Sequence, residues 1–266
     1  MGRITSLQNS KVKLIHRLRS KRGRQSESRL VIDSLRELRR ALEMQYRLEY
    51  LLYCADQIDI PSWTGPNAYQ VNSSLLTQIS YRENPDGIVA VMRSKPQQGL
   101  FDLEHFDFGG SFLALVGLQI PGNIGALLRT ADGAGMDTVL LVDIALDLYN
   151  PNVIRNSAGA CFRDNIFQLK SEDVFAFRSE RDPECQIIAA HDAGKRTLYE
   201  VDLRGMTIIA LGNEAQGLPR EWIARADHIA RIPMTGEISD SLNVSVSGAL
   251  FMYEMVRQKL AASHSS

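Results

Sequence analysis

Polar and small residues that could bind a ligand and act on it are concentrated in the second half of the chain. Residues 121–130 (PGNIGALLRT) place Asn123 between two glycines, and Arg129 follows four residues after the second of these. Glycines let a ligand approach the backbone, and the start of a helix attracts anions. Arg129 could therefore hold an anionic group such as a phosphate, although an i,i+3 pair with Asp132 is an equally good interpretation.

Two further stretches carry candidate residues. Glu214 lies in a loop of small and polar residues at 212–217, directly after an apolar run. Ser241 and Asn243 open a long helical pattern, where capping the helix would be their ordinary role. A single loop glutamate or helix cap is weak evidence, but several polar groups that converge on one edge indicate a site.

The elements that position these residues read as strands of a parallel sheet. Apolar runs with little alternation, typical of strands buried on both faces, occur at 112–118, 138–142, 187–190, 206–211 and 228–232. Helical patterns separate them, which predicts an α/β fold with a mostly parallel sheet covered on both faces. Ligands bind at the carboxyl ends of strands in such sheets, and the candidate stretches fall there.

The first half of the chain predicts a smaller α/β domain. Helical patterns at 9–20 and 34–45 alternate with strand-like runs at 30–32, 48–54 and 87–92. The stretch at 94–102 (SKPQQGLFD) has the composition of a linker. We therefore expect a first domain at 1–96, a linker at 97–110 and a second domain at 111–262.

The net charge of −1 conceals an uneven distribution. Residues 1–25 contain eight Lys or Arg and no Asp or Glu. Such a run is either a solvated face or a surface that follows phosphates, and composition alone favours neither. The candidate RNA-binding residues are Lys11, Lys13, Arg17, Arg19, Lys21, Arg22 and Arg24.

Composition also disfavours several classes of protein. No apolar run approaches the roughly 20 residues that span a bilayer, and no signal peptide opens the chain. The three isolated cysteines indicate reduced thiols in a cytoplasm, and the five histidines form no metal-ligand pair. Neither a P-loop nor a GxGxxG turn is present.

Three motifs together closely resemble those of the SpoU/TrmH family of RNA ribose 2′-O-methyltransferases, which belong to the trefoil-knotted SPOUT class. They are PGNIGALLRTADGAG, LGNEAQGL and IPMTGEISDSLNVSVSGALFMYE. RNSAGACF at 155–162 is similar to an intermediate motif of the family. The first half, from ITSLQNSKVKLI, resembles its substrate-binding domain, which is related to ribosomal RNA-binding proteins. The resemblance implies a C-terminal knot, which chains normally avoid, and a homodimer with its site across the interface.

The resemblance also implies S-adenosylmethionine as the cofactor and no metal. By motif position, the residues near the cofactor are Leu211, Gly212, Asn213, Gly217, Ile232, Met234 and Leu242. The family's catalytic positions match Asn123, Arg129, Glu214, Ser241 and Asn243. Arg129 is either the base or a clamp on the adjacent phosphate, and a guanidinium pKa above about 12 favours the clamp.

Some alternatives remain open at this stage. Ile120 replaces a frequent aspartate and Asp33-Ser34 a frequent Glu-Gly, so the RNA target is undetermined. The separate first domain favours ribosomal over transfer RNA. A metal-dependent phosphoryl hydrolase would use Asp143, Asp192 and Glu214 as ligands, and a catalytically silent RNA-binding or ribosome-assembly protein would need none of them. The intact motifs argue against both.

Overall fold

A computed structural model describes residues 2–59, 65, 67–83, 85–105, 109–181, 184–238 and 240–263. The chain forms two compact units. The first comprises Met1–Pro96 with Asp147–Arg163, and the second comprises Gln97–Leu146 with Asp164–Ser266. The continuous part of the first unit thus ends at residue 96. Residues 147–163 were expected within the second domain, but they group with the first unit.

The first unit is built on a five-stranded mixed sheet in the order β1-β4-β3-β5-β2. β5 runs antiparallel to both β2 and β3, while β4 is parallel to β3 and β1. The strands are β1 (Gly2–Arg3), β2 (Arg29–Ile32), β3 (Leu48–Tyr53), β4 (Ala68–Gln70) and β5 (Ile88–Arg93). The helices are α1 (Ser10–Leu18), α2 (Lys21–Glu27), α3 (Leu35–Glu43) and α4 (Ser73–Ile79).

Helices α1 and α4 pack on one face of this sheet. Asn9 caps α1 by accepting from Lys11 N at 2.9 Å, which fixes the helix so that Val12, Ile15 and Leu18 are buried. These residues share a core with Val31, Leu52, Val89 and Val91 of the sheet. Strand neighbours such as Leu30, Ile32 and Ala90 are equally buried. Because successive side chains point to opposite faces, a second layer covers the other side, and we assign α3 and 147–163 to it.

Residues 147–163 form α7 (Pro151–Asn156) and a short 3₁₀ helix (Ala160–Phe162). Arg24 pairs with Asp147 at 2.5 Å, and the Tyr46 and Tyr149 hydroxyls lie 3.0 Å apart. Tyr46 also packs edge-on against Phe162, with ring centroids 5.0 Å apart. The intermediate motif is therefore attached to the first unit by specific polar and aromatic contacts.

The second unit is built on a seven-stranded sheet in the order β10-β12-β9-β11-β6-β7-β8, with all pairs parallel. The predicted α/β class with a mostly parallel sheet is confirmed. The strands are β6 (Ser111–Val116), β7 (Thr138–Val142), β8 (Ile166–Leu169), β9 (Gln186–Ala190), β10 (Arg196–Thr197), β11 (Thr207–Leu211) and β12 (His228–Arg231). The helices are α5 (Leu100–Glu104), α6 (Pro121–Gly133), α8 (Ser171–Arg181), α9 (Arg220–Arg225) and α10 (Val244–Ser263). None of the described helices is long and apolar enough to span a bilayer.

The expected linker at 97–110 is largely structured. Gln168 N donates to Gln98 O at 2.8 Å, and Leu103 of α5 is fully buried in the core of the second unit. Residues 106–108 of this stretch lie outside the described residues. Residues 100–104 form α5, whose Leu100 and Leu103 pack in the core of the second unit, and the bounds of the linker stay a prediction.

Helix α10 begins at Val244, after the stretch that was expected to open it. Asn243 Oδ1 accepts from Ser245 N at 2.8 Å and caps the helix, so Ser241 precedes it. Gly248 allows α10 to lie close against α6 and β11, because a Cβ there would come within 2.7 Å of Leu211 Cδ1 and closer still to Leu127. This packing brings Asn243 to the carboxyl end of β11.

Candidate cofactor and catalytic site

A pocket of about 510 Å³ opens where β9, β11 and β12 end and α10 begins. Its volume lies within the range of about 300–1,000 Å³ that is usual for small-molecule sites. The lining residues are Ala190–Asp192, Leu211–Gly217, Ala230–Ile232, Ser241–Val244, Ser247 and Phe251. This is the strand edge at which the sequence predicts a ligand.

The loop between Gly212 and Gly217 is closed on itself. Asn213 N donates to Gly217 O at 3.1 Å, and Gly217 N donates back to Asn213 O at 2.8 Å. Gly217 has φ +68°, and a Cβ on Gly212 would lie 2.5 Å from Gly217 O and nearer to Gly217 C. Both glycines are therefore required by the backbone, one by its conformation and the other by close approach.

Asn213, predicted to bind the cofactor, uses its side chain to hold this loop. Its Nδ2 donates to Gly117 O at 2.9 Å, and its Oδ1 accepts from Ala215 N at 2.9 Å and Gln216 N at 3.2 Å. The side-chain amide is thus engaged within the protein. Asn213 shapes the pocket wall and ties it to the end of β6.

Three of the candidate catalytic residues form a connected hydrogen-bond network. Asn123 Nδ2 donates to Glu214 Oε1 at 2.7 Å, and Asn243 Nδ2 donates to Asn123 Oδ1 at 3.2 Å. Each residue comes from a different one of the three motifs. Glu214, Ser241 and Asn243 line the pocket. Asn123 is not part of the lining, but its side chain connects Glu214 to Asn243.

Arg129 and Met234 lie outside the pocket lining. The side chain of Arg129 is exposed on α6. Helix α6 starts at Pro121, so Asn123 lies in its first turn. Arg129 lies six residues later, more than one helical turn from Asn123. Met234 is half-buried beyond the end of β12.

His191 and Asp192 also line the pocket, and the sequence analysis did not predict them as residues of this site. Ala193 N donates to His191 Nδ1 at 3.0 Å, and Gly194 N donates to the carbonyl oxygen of His191 at 3.0 Å. These two hydrogen bonds form a tight turn after β9. Gly194 allows this turn to contact β12, since a Cβ would lie 2.8 Å from Ile229 O. The rule that ligands sit at strand ends, applied to the predicted strand at 187–190, would have identified both residues.

The structure disagrees with the metal-site alternative. Asp143 follows β7 and accepts from Ser171 Oγ at 2.6 Å, whereas Asp192 follows β9. Two strands, β11 and β6, lie between β7 and β9, which separates their ends by about 14 Å at the usual strand spacing. Among the described residues, no group of three or more His, Cys, Asp or Glu is close enough to hold a metal ion.

Most of the basic residues predicted to bind RNA are exposed on the first unit. Lys13, Lys21 and Arg22 are solvent-exposed, and Lys11 lies over the Tyr50 and Tyr69 rings at 4.8 and 4.9 Å. Two others are partly engaged. Arg17 pairs with Glu27 at 3.2 Å, and Arg19 donates to the carbonyls of Gln78 and Ser80.

Arg24 corrects the predicted RNA surface. Its side chain is only 4% exposed, and its guanidinium pairs with Asp147 while donating to Leu18 O at 2.8 Å and Arg19 O at 3.0 Å. The pair joins residues 123 positions apart. Arg24 is therefore a structural residue and not a phosphate contact, because its donors are already satisfied in the interior.

Comparisons with known proteins agree across the whole chain. Residues 110–253 match the family described as SpoU rRNA Methylase, and residues 9–90 match an MRM3-like substrate binding domain. An uncharacterized tRNA/rRNA methyltransferase of Synechocystis sp. is 30% identical over 98% of this chain and 95% of its own length. The 23S rRNA (guanosine-2′-O-)-methyltransferase RlmB of Xanthomonas axonopodis pv. citri is 38% identical over 74% of this chain and 80% of its own.

Solved structures share the same fold. A crystal structure of an RNA 2′-O ribose methyltransferase superposes with a TM-score of 0.85 at 35% identity, covering 97% of this chain and 99% of the other. The AdoMet-bound rRNA methyltransferase of Sinorhizobium meliloti superposes with a TM-score of 0.83 at 27% identity, covering 96% and 97%.

Proposed function

The chain belongs to the SpoU rRNA methylase family, and we propose that it transfers a methyl group from S-adenosylmethionine to a ribose 2′-hydroxyl of ribosomal RNA. This proposal rests on where the pocket and the hydrogen-bond network lie in the sequence. The matched stretch at 110–253 contains every residue of the strand-end pocket and the whole Asn123–Glu214–Asn243 network. Relatives named as 23S rRNA 2′-O-methyltransferases point to the large ribosomal RNA, and we place the reaction in the cytoplasm.

The pocket suits S-adenosylmethionine. Its volume accommodates a nucleoside with an amino-acid tail, and its walls come mainly from three strand-end loops. We propose that Leu211, Gly212, Ile232 and Leu242 hold the cofactor largely through backbone groups, in a pocket wall whose closed loop requires a glycine at 212. S-adenosylmethionine supplies the electrophilic methyl group on its sulfonium.

The chain's own residues then have separate tasks. Glu214 and Asn243 fix the Asn123 amide from two sides, and this arrangement holds the three motif loops in register. Ser241, exposed at the pocket mouth, is placed to contact the ribose. We assign Arg129 to the phosphate beside the target ribose, because its side chain is exposed and a guanidinium binds phosphate through its planar fork of N–H donors. Orienting the hydroxyl in this way supplies rate by positioning.

We further propose that the protein is a homodimer whose site includes Arg129 of a second copy. Helix α10 exposes Val246, Leu250, Tyr253 and Leu260, which recur at the spacing of one helix face. Such a stripe is a candidate interface, and Arg129 lies outside the pocket lining of its own chain. Light scattering should give twice the chain mass for the wild type and a monomer for Leu250→Asp. A monomeric wild type would end this part of the proposal.

The family resemblance also leads us to propose a trefoil knot in the second unit and a first unit related to ribosomal RNA-binding proteins. Two features support the knot. β12 lies between β9 and β10, and α10 then returns to pack on α6 and β11. The match at 9–90 supports the substrate-binding role of the first unit, which carries 18 Lys or Arg against 10 Asp or Glu. The second unit carries 12 against 21.

Mapping of 2′-O-methyl groups tests the function. Ribosomal RNA from a deletion strain should lack one methylated ribose, and purified protein with S-adenosylmethionine in EDTA should restore it. Restoration of a transfer-RNA site instead would make the chain a tRNA methyltransferase. RNA binding without cofactor binding in calorimetry would indicate a catalytically silent RNA-binding or assembly protein.

A further inference from the structure

The first unit carries a second group of basic residues in addition to those of α1 and α2. Arg36, Arg39 and Arg40 occupy positions i, i+3 and i+4 of α3 and so share one helix face. Arg155 of α7 lies beside them, because Arg40 Nη1 donates to Ala158 O and Ala158 N donates to Arg155 O. We name these four arginines the α3–α7 surface.

The positive charge of this surface is largely unneutralised. Arg39 and Arg155 are exposed and make no ion pair within the described part of the chain. Arg36 pairs with Glu37 at 3.0 Å, but the buried Glu37 carboxylate also binds Arg82 at 2.8 Å. Arg82 also pairs with Asp33 at 3.3 Å, so Glu37 and Asp33 together balance Arg36 and Arg82. The net positive charge of the α3–α7 surface comes from Arg39, Arg40 and Arg155, which outnumber the exposed Glu43 of α3.

The exposed basic residues of α1 and the α3–α7 surface are assigned to opposite faces of the five-stranded sheet, whereas α2 reaches the second layer through the Arg24–Asp147 pair. Helix α1 packs on the face that carries Val31, Val89 and Val91. The alternate residues of the same strands point the other way, toward the layer formed by α3 and residues 147–163. RNA on α1 and RNA on the α3–α7 surface are therefore separated by the sheet and its core.

The chemistry of the α3–α7 surface fits a polyanion better than a protein. Guanidinium groups bind phosphates through two parallel hydrogen bonds, and four arginines come from adjoining segments here. Protein interfaces are also enriched in Arg, but they combine it with aromatic residues and Met. Among the described residues, neither α3 nor 147–163 contains an exposed large hydrophobic side chain. We propose that the α3–α7 surface binds RNA phosphates, so that the first unit holds two separated segments of one folded RNA. This inference rests on the proposed function.

Salt-dependent binding of in vitro transcribed 23S rRNA to the full chain tests the surface. Each phosphate contact contributes about 0.7–0.9 to the slope of log K against log salt. The double variant Arg39→Ala/Arg155→Ala should therefore reduce that slope by about 1.4–1.8. Arg204→Ala is the matched control, because Arg204 is exposed but paired with Asp202 in the second unit. It should leave the slope unchanged. Circular dichroism and urea unfolding of the full chain verify that the variants fold.

Tethered cleavage tests the two-segment arrangement. Cys54, Cys161 and Cys185 are buried, so an iron chelate can be attached selectively to Glu43→Cys on α3 or to His16→Cys on α1. The two probes should cut separate RNA segments. Cleavage of one common segment would overturn the two-segment arrangement. An unchanged slope in the double variant would overturn RNA binding by this surface and leave an acidic protein as its partner.

These outcomes are independent of catalysis, since binding is measured without methyl transfer. A wild type that binds with the expected slope but methylates no ribosomal RNA would end the proposed function and leave the surface in place. A double variant that methylates and keeps the wild-type slope would end this inference alone.

Discussion

Replacing Gly212 with alanine tests how the closed 212–217 loop forms the cofactor pocket. A Cβ on Gly212 would lie 2.5 Å from Gly217 O, whereas ordinary contact begins at 3.4 Å, so the loop must move by about 1 Å. That movement breaks the reciprocal hydrogen bonds between Asn213 and Gly217. Two such bonds contribute about 1–3 kcal/mol, which corresponds to roughly 5–150-fold weaker cofactor binding.

Two other glycines serve as comparisons for this variant. Gly217→Ala meets no neighbouring atom within 4 Å, so its cost is the strain of φ +68°, about 1–2 kcal/mol. Gly205→Ala has open space and ordinary backbone, and should bind as the wild type does. Calorimetry with S-adenosylmethionine in EDTA measures all three. Binding by Gly212→Ala within twofold of wild type would refute the role given to this close approach.

Three other predictions follow from the contacts described above. Arg129→Ala should lower single-turnover methyl transfer by about 100-fold while cofactor affinity stays within about tenfold, and Arg129→Lys should also be impaired, because the planar fork is lost. If Arg129→Ala transfers normally, the phosphate-clamp role is wrong. Asp147→Ala should destabilise the chain by about 3–5 kcal/mol in urea unfolding, because it leaves the Arg24 charge buried and unpaired. A loss below about 1 kcal/mol would contradict the burial of this pair. Burial raises the pKa of Cys161 to about 12, so this thiol should not react with a disulfide reagent at pH 8 until the protein unfolds, and reaction at the rate of an exposed cysteine would contradict its position.

The position of the site could be predicted from the sequence because two local rules determine it. Runs such as 208–211 have no polar residue to face water, which predicts central strands of a parallel sheet. Ligands bind at the carboxyl ends of such strands, where Glu214 follows β11 closely and Asn243 precedes the helix that comes after β12. The three motifs also placed the chain in its family, which the comparisons confirm. Local sequence was sufficient here because strand burial and loop position are properties of neighbouring residues.

The tertiary structure decided the features that depend on distant partners. Arg24 belongs to the same basic run as Lys21 and Arg22, and only its pairing with Asp147 distinguishes it as buried. Residues 147–163 lie between two strands of the second unit in sequence, yet they pack with Tyr46 and Arg40 of the first. No local pattern reports such contacts, because a side chain's hydrophobicity and charge are the same whichever partner it finds. Which partner lies within reach is determined by the path of the folded chain.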